Sequence, residues 1–345
     1  MPKIVKSRAR SVLAGLAFML LTAIVACGAA ATPEVVERQI IVTPTPGPRQ
    51  TIIFSGLNWP SAQLQNRIAM FIVEQGYGYP VDTISGDTIA LFTALVDGNT
   101  QVTMEIWLPN QREAWDEALA KGSVIPVGRS LDDIWQSAFV VPQYVLDENP
   151  GLRSVQDLRK FKGLFVTPDS NGKARLVTCV VGWACHEVNR RKVQAYGLSD
   201  VIELVPPDSA ASLFASLESA YAKRQPWLGY AWGPTRVAAE LDLAVLEEAN
   251  CAGRQAPEEG CTYPTSRVLV AVHPSLISRA PEVVEFLRQW DFGATSQIAA
   301  EEWMAESDAT VDEAAIWFLK NNQVWTQWVP ASVAGRVQEA LAAKG

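Results

Sequence analysis

From residue 51 onward, short apolar runs alternate with stretches whose apolar residues recur every three or four positions. This order restricts the fold more than any other feature of the 345-residue chain. Residues 51–57 read as a strand. Residues 61–75 place Leu64, Ile68, Phe71 and Ile72 on one helical face, and Gly76 marks the helix end. A second strand is expected over 81–85. Asp87 then opens a helix with Ile89, Leu91, Phe92 and Leu95 inward, stopped by Asp97-Gly98, and 102–107 is a third strand. Such a βαβαβ order predicts a parallel sheet covered by helices. A second unit follows, with strands over 139–142, 164–167 and 201–205. It also has a helix within 182–195 and an amphipathic helix over 209–223 that leads into a strand ending at Trp232. Residues 267–272 read as a buried strand, and helices are expected over 281–290, 295–305, 311–321 and 331–343. The class is α/β, and two βα lobes with a helical C-terminal segment fit a hinged molecule with a cleft between its halves.

The first residues are of another kind. Lys3, Lys6, Arg8 and Arg10 precede an apolar stretch over 12–26, the layout of an export signal. It ends Ala23-Ile24-Val25-Ala26-Cys27, which resembles a bacterial lipobox and implies cleavage before Cys27 and lipidation of its thiol. A retained signal anchor is the alternative, but the stretch is short for a membrane span. Residues 28–50 carry small residues and Thr43-Pro-Thr-Pro-Gly-Pro48, a stiff tether with nothing to pack. The expected layout is therefore a lipoprotein signal over 1–26, an anchor and tether over 27–50, a first lobe over 51–135, a second over 136–264, and a return to the first over 265–345. The formal charge of −8 becomes −12 once the basic first 26 residues, which hold no acid, are removed. That balance excludes a nucleic-acid binder, which needs basic surface.

Beyond Cys27 the cysteines are Cys179, Cys185, Cys251 and Cys261. An oxidising compartment favours disulfides, and proximity favours Cys179 with Cys185 and Cys251 with Cys261 among three possible pairings. His186 beside Cys185 raises a Cys/His metal site, but no Cys-x-x-Cys or His-x-x-x-His spacing supports one, so no metal and no cofactor are expected. Asp169-Ser-Asn-Gly-Lys173 lacks the acids of a calcium loop and reads as a surface turn.

Three tryptophans stand apart from the rest. Val102-Thr-Met-Glu-Ile-Trp107 and Trp227-Leu-Gly-Tyr-Ala-Trp232 both end in Trp-x-Pro, and proline cannot continue a ladder, so each indole belongs at the rim of its sheet. Carboxyl-end rims are where open α/β sheets take ligands. Trp183 lies in Cys179-Val-Val-Gly-Trp183-Ala-Cys185, a loop that a disulfide would stiffen before any ligand arrives. Indole faces are the best side-chain surface for a quaternary ammonium group. Trp115, Trp290, Trp303, Trp317, Trp325 and Trp328 lie in helical segments and read as packing residues.

Glu105-Ile-Trp107-Leu-Pro109, the Cys179–Cys185 segment and Gly229-Tyr-Ala-Trp232-Gly-Pro234 together resemble the signature segments of the glycine betaine/proline betaine substrate-binding proteins of ABC osmoprotectant importers. Phe139-Val-Val-Pro-Gln-Tyr144, the run Leu164 to Lys173 and Ala195-Tyr-Gly-Leu198 add to the likeness, which runs from about residue 51 to the C-terminus. The resemblance implies a two-lobed periplasmic-binding-protein fold of type II with the ligand in the cleft. It also implies a box for trimethylammonium built from Trp107, Trp183 and Trp232. Ligand carboxylate would meet the backbone N–H groups of Ala184 and Cys185. The family has a histidine four residues after its first Trp, and this chain has Gln111, a hydrogen-bond donor without charge. Trp59 is a possible fourth wall. Related choline-binding proteins place an acid two residues after such a Trp, where this chain has Ser61.

The expected function is thus an exported, lipid-anchored, monomeric receptor on the outer face of the cytoplasmic membrane. It captures glycine betaine or a related betaine for a permease and an ATPase subunit. A choline, carnitine or other quaternary-amine receptor is the alternative. A secreted enzyme on the same fold is a third reading, opposed by the scarcity of histidine (His186 and His273) and the absence of any Gly-x-Ser-x-Gly, His-Glu-x-x-His or phosphate-loop motif.

Overall fold

The structure, a computed structural model, describes residues 48–108, 110–131, 137–251, 256–265 and 267–344. The export signal, Cys27 and nearly all of the tether lie outside them.

Eleven strands among the described residues form two mixed sheets. The first four are β1 (Ile52–Leu57), β2 (Val81–Gly86), β3 (Val102–Leu108) and β4 (Ile125–Ser130). The chain then builds β5 (Ala138–Pro142), β6 (Ala174–Val177), β7 (Ile202–Val205), β8 (Gly229–Ala231) and β9 (Leu243–Val245), and ends with β10 (Arg267–Val272) and β11 (Asp291–Phe292). The first sheet has the order β11-β4-β10-β3-β1-β2 and the second β7-β6-β8-β5-β9. So the strands of the first sheet come from both sides of the segment that forms the second.

The expected parallel sheet holds for β1, β2 and β3. β10 departs from it: returning from the second sheet, it inserts antiparallel between β3 and β4. Every residue of β3 is buried, which fits its central place under helices on both faces. The second sheet pairs β6 in parallel with β7 and β8, and β5 antiparallel with β8 and β9.

Two sequence expectations need correction. Residues 164–167 are not a strand. Lys162–Phe165 is a 3-10 turn, only Phe165 of the run is buried, and Pro168 follows, which can donate to no ladder. The strand is Ala174–Val177, whose apolar signal is interrupted by Arg175. Gly76 does not end the first helix. Pro60–Phe71 runs on through a π-helical turn, Ile72–Tyr77, and stops at Gly78 in the left-handed region (φ 73°). Gly76 instead admits Val333 and Val337 of the C-terminal helix against the backbone. The 169–173 segment forms a turn. No helix of the described residues is long and apolar enough to cross a membrane.

Candidate functional site

Each of the four relevant indoles sits where a regular element begins or ends. Trp59 follows β1 and caps Pro60–Phe71, Trp107 is the penultimate residue of β3, and Trp232 directly follows β8. Trp183 caps the helix Ala184–Ala195, inside the loop that the Cys179–Cys185 disulfide closes with 6.0 Å between Cα atoms. The chain reaches Trp183 through Gly182 at φ 94°, a conformation that disfavours a side chain.

The structure brings these residues together. A cavity of about 380 Å³, including its mouth, is lined by Trp59, Thr88, Trp107, Asn110, Gln111, Trp183, Ala184, Cys185, Tyr230 and Trp232. Trp183 stands edge-on to Trp59 and to Trp232, with ring centroids 5.4 Å apart in each case. Trp232 is braced from behind by Phe214 at 4.9 Å and Tyr230 at 5.9 Å. The Tyr230 hydroxyl is 2.6 Å from Ser137 Oγ, and burial raises its pKa far above the ordinary phenol value. All four indoles are buried, with Trp107 the most exposed at 8%.

Polar partners fix the ring planes. Trp183 Nε1 donates to Asn58 Oδ1 at 2.6 Å, joining the disulfide loop to the end of β1. Trp59 Nε1 and Trp107 Nε1 both donate to Glu105 Oε2, at 2.6 and 2.7 Å, and Glu105 Oε1 accepts from Gln65 Nε2 at 2.7 Å. Glu105 is fully buried, and that burial raises its pKa despite the donors around it. At the opposite side, Ala184 and Cys185 open a twelve-residue helix whose first N–H groups have no carbonyl in their own helix to bond. The partial positive charge of that helix end suits an anion. Gln111 caps Arg112–Ala120 and brings a neutral amide. The arrangement pairs an aromatic enclosure with an electropositive, uncharged rim, which suits a small zwitterion.

The remaining sequence-singled residues lie elsewhere. Cys251–Cys261 closes a loop away from the cavity. His186 Nδ1 lies 3.2 Å from the Cys179 carbonyl, and the described residues contain no cluster of potential metal ligands. Trp115, Trp290, Trp325 and Trp328 pack in the interior, and Trp303 stacks on Trp317 at 5.2 Å. Sequence reasoning missed Asn58, Thr88, Asn110 and Tyr230, and gave Glu105 no role. Only Glu105 carried a usable signal: it is the one charge in an apolar strand, two residues from Trp107 and so on the same face.

The family model for the substrate binding domain of the ABC-type glycine betaine transport system matches residues 50–321. The trimethylamine N-oxide-binding protein of Pelagibacter ubique (strain HTCC1062) is 24% identical over 288 residues, spanning 81% of this chain and 90% of that one. Among solved structures, the glycine betaine, L-proline ABC transporter binding protein (ProX) from Borrelia burgdorferi aligns with a TM-score of 0.69 at 19% identity, over 83% of this chain and 99% of that one. An ABC-transporter choline binding protein in complex with choline gives 0.70 at 18% identity, over 84% and 98% of the two chains. These likenesses show the fold, the two-lobed periplasmic-binding-protein architecture of type II.

Proposed function

The chain belongs to the family of substrate-binding domains of ABC-type glycine betaine transport systems, and on that premise we propose that its aromatic cavity encloses the trimethylammonium group of glycine betaine or a close betaine. It is a substrate-binding protein of an ABC betaine/choline transporter, and its family acts outside the cytoplasm. The observation that supports the reading best is the meeting of Trp107, Trp183 and Trp232, from far-apart stretches, around one cavity.

A quaternary ammonium has no N–H, so hydrogen bonds cannot select it; its spread charge and methyl surface suit π faces. A desolvated contact of this kind contributes about 2 kcal/mol, and three supply much of the roughly 8 kcal/mol that micromolar binding requires. The ligand carboxylate meets the N–H groups of Ala184 and Cys185, with Gln111 donating as a neutral partner. Residues 51–135 and 265–345 form one lobe and 136–264 the other, and closure between them excludes water from the box. The closed form engages the permease and its ATPase. The protein works as a monomer held to the outer face of the cytoplasmic membrane through a lipid on Cys27.

Gln111 favours a second reading. Without a cationic partner the site matches a ligand with a small polar end, such as trimethylamine N-oxide, the compound for which the Pelagibacter relative is named. Choline is disfavoured by Ser61, where an acid would serve its hydroxyl end.

Titration with glycine betaine, proline betaine, carnitine, choline and trimethylamine N-oxide, followed by tryptophan fluorescence, tests both readings. Trp107→Ala, Trp183→Ala and Trp232→Ala are each expected to weaken betaine about 30-fold while the fold stays cooperative. Betaine affinity that none of the three changes rejects the box. Tight choline binding without betaine binding moves the assignment to a choline receptor.

A further inference from the structure

Glu105 does more than fill the strand beneath the box. One of its oxygens receives the N–H groups of both first-sheet walls, Trp59 and Trp107, at 2.6 and 2.7 Å. The other receives Gln65 Nε2 at 2.7 Å. Gln65 is itself committed, because its Oε1 accepts from Trp290 Nε1 at 3.0 Å and from Ser130 Oγ. Three N–H donors therefore point at a side chain that can only accept when ionised, a donor set that suits the carboxylate and not the acid. No cationic side chain forms an ion pair with this carboxylate among the described residues, and its charge helps to raise the pKa of Glu301, another buried acid. A buried charge without a partner is costly. The cavity walled by the two indoles is a place from which a counter-charge can come.

We propose that Glu105 is a specificity-determining residue that acts through the indoles: it fixes the planes of Trp59 and Trp107, and its carboxylate makes the box prefer a cation to a neutral group of the same shape. A hydrogen bond from an indole N–H to a carboxylate pushes electron density toward the ring, which strengthens the face that a cation meets. Burial in low dielectric lets the carboxylate's field, from the ring edges, reach an ammonium on the ring faces with little screening. Cation and carboxylate then stabilise each other, and the empty box keeps a partly unfavourable charge that the ligand relieves. The tryptophans supply shape for any methylated head group; the carboxylate behind them supplies the preference for positive charge.

This inference rests on the betaine reading, and the test separates the two. The probes are glycine betaine and 3,3-dimethylbutyrate, which replaces the ammonium nitrogen by carbon and keeps the carboxylate. Both are titrated against the unmodified protein, Glu105→Gln, and the exchanged pair Glu105→Gln/Gln65→Glu. The exchange keeps acceptors for Trp59, Trp107, Trp290 and Ser130, reverses the bond between positions 105 and 65, and moves the charge one side chain further from the rings; it serves if the single variant fails to fold. The expected result is betaine at least about tenfold weaker in the single variant. The carbon analogue stays within about twofold, so the preference for the cation narrows, and the exchanged pair gives only partial recovery. Equal losses for both probes, unchanged betaine affinity, or full recovery in the exchanged pair reduces Glu105 to a structural hydrogen-bond acceptor and overturns the inference alone. Failure of the unmodified protein to bind betaine removes the functional reading and this inference with it.

Discussion

Glu301 illustrates at the scale of one residue how the same burial that builds the site also sets a pH response. Burial pushes its carboxyl up to about 7, against hydrogen bonds accepted from the Arg236 backbone N–H at 2.6 Å and from Gln297 Nε2 at 2.6 Å. A carboxyl whose pKa is higher folded than unfolded binds more protons in the native state between the two values. Its contribution therefore favours folding at low pH and is lost as pH rises from about 4.5 through about 7. The change amounts to roughly 3 kcal/mol across that window. Glu301→Gln stays neutral throughout, so the variant should gain stability on the native protein between pH 5 and pH 8. Paired thermal melts at those two pH values check it, and parallel curves would contradict the assignment. Among the residues at the cavity, Trp107, Trp183 and Trp232 were legible because each ends an apolar run or sits in a disulfide loop. Asn58 and Tyr230 were not, because an exposed Asn after a strand and a Tyr within a strand look the same with or without a ligand nearby.

The element that does most for the cavity is the helix Ala184–Ala195, and its two ends are held by different means. The N-terminal end is tied by the Cys179–Cys185 disulfide. Further along, Lys192 is fully buried, pairs with Glu248 at 2.7 Å and lies 3.9 Å from the Tyr263 ring centre. Tyr263 in turn donates to Asn189 Oδ1 at 2.6 Å, and Asn189 Nδ2 donates to Thr178 Oγ1 at 3.0 Å. The segment joined by Cys251–Cys261 thus buttresses the helix that presents Ala184 and Cys185 to the cavity. Lys192→Met leaves the buried Glu248 without its cation and is expected to cost about 3–5 kcal/mol, read from denaturant unfolding. A cost below about 1 kcal/mol would show that the pair is not what anchors the helix. Periodicity revealed most of the helices and the strands next to them, because one apolar face per element is a local signal. It misplaced the strand at Ala174–Val177, where Arg175 breaks the apolar run, and it overlooked β4, β9 and β11, which are short or only partly buried. The antiparallel insertion of β10 was beyond it, since pairing partners are set by contacts far apart in sequence.

For the whole molecule the central question is how the two halves meet over a ligand. Asn58 accepts from Trp183 and donates through Nδ2 to Asp87 Oδ1 at 3.2 Å, so the end of β1 and the start of the helix Thr88–Val96 both receive the disulfide loop. Gly182 makes that approach possible: a Cβ there would lie 2.5 Å from Asp87 Oδ2. Gly182→Ala is therefore expected to hold the halves apart, speeding betaine dissociation and weakening affinity about tenfold, a change of roughly 1.4 kcal/mol. Stopped-flow dissociation measures it, and an unchanged rate would separate this contact from closure. The most direct test of the account is a crystal structure of the protein with glycine betaine. The account predicts the three methyl groups seated against the faces of Trp107, Trp183 and Trp232, with the carboxylate at the N–H groups of Ala184 and Cys185. Density for the ligand elsewhere, or a trimethylammonium group turned away from those rings, would contradict it.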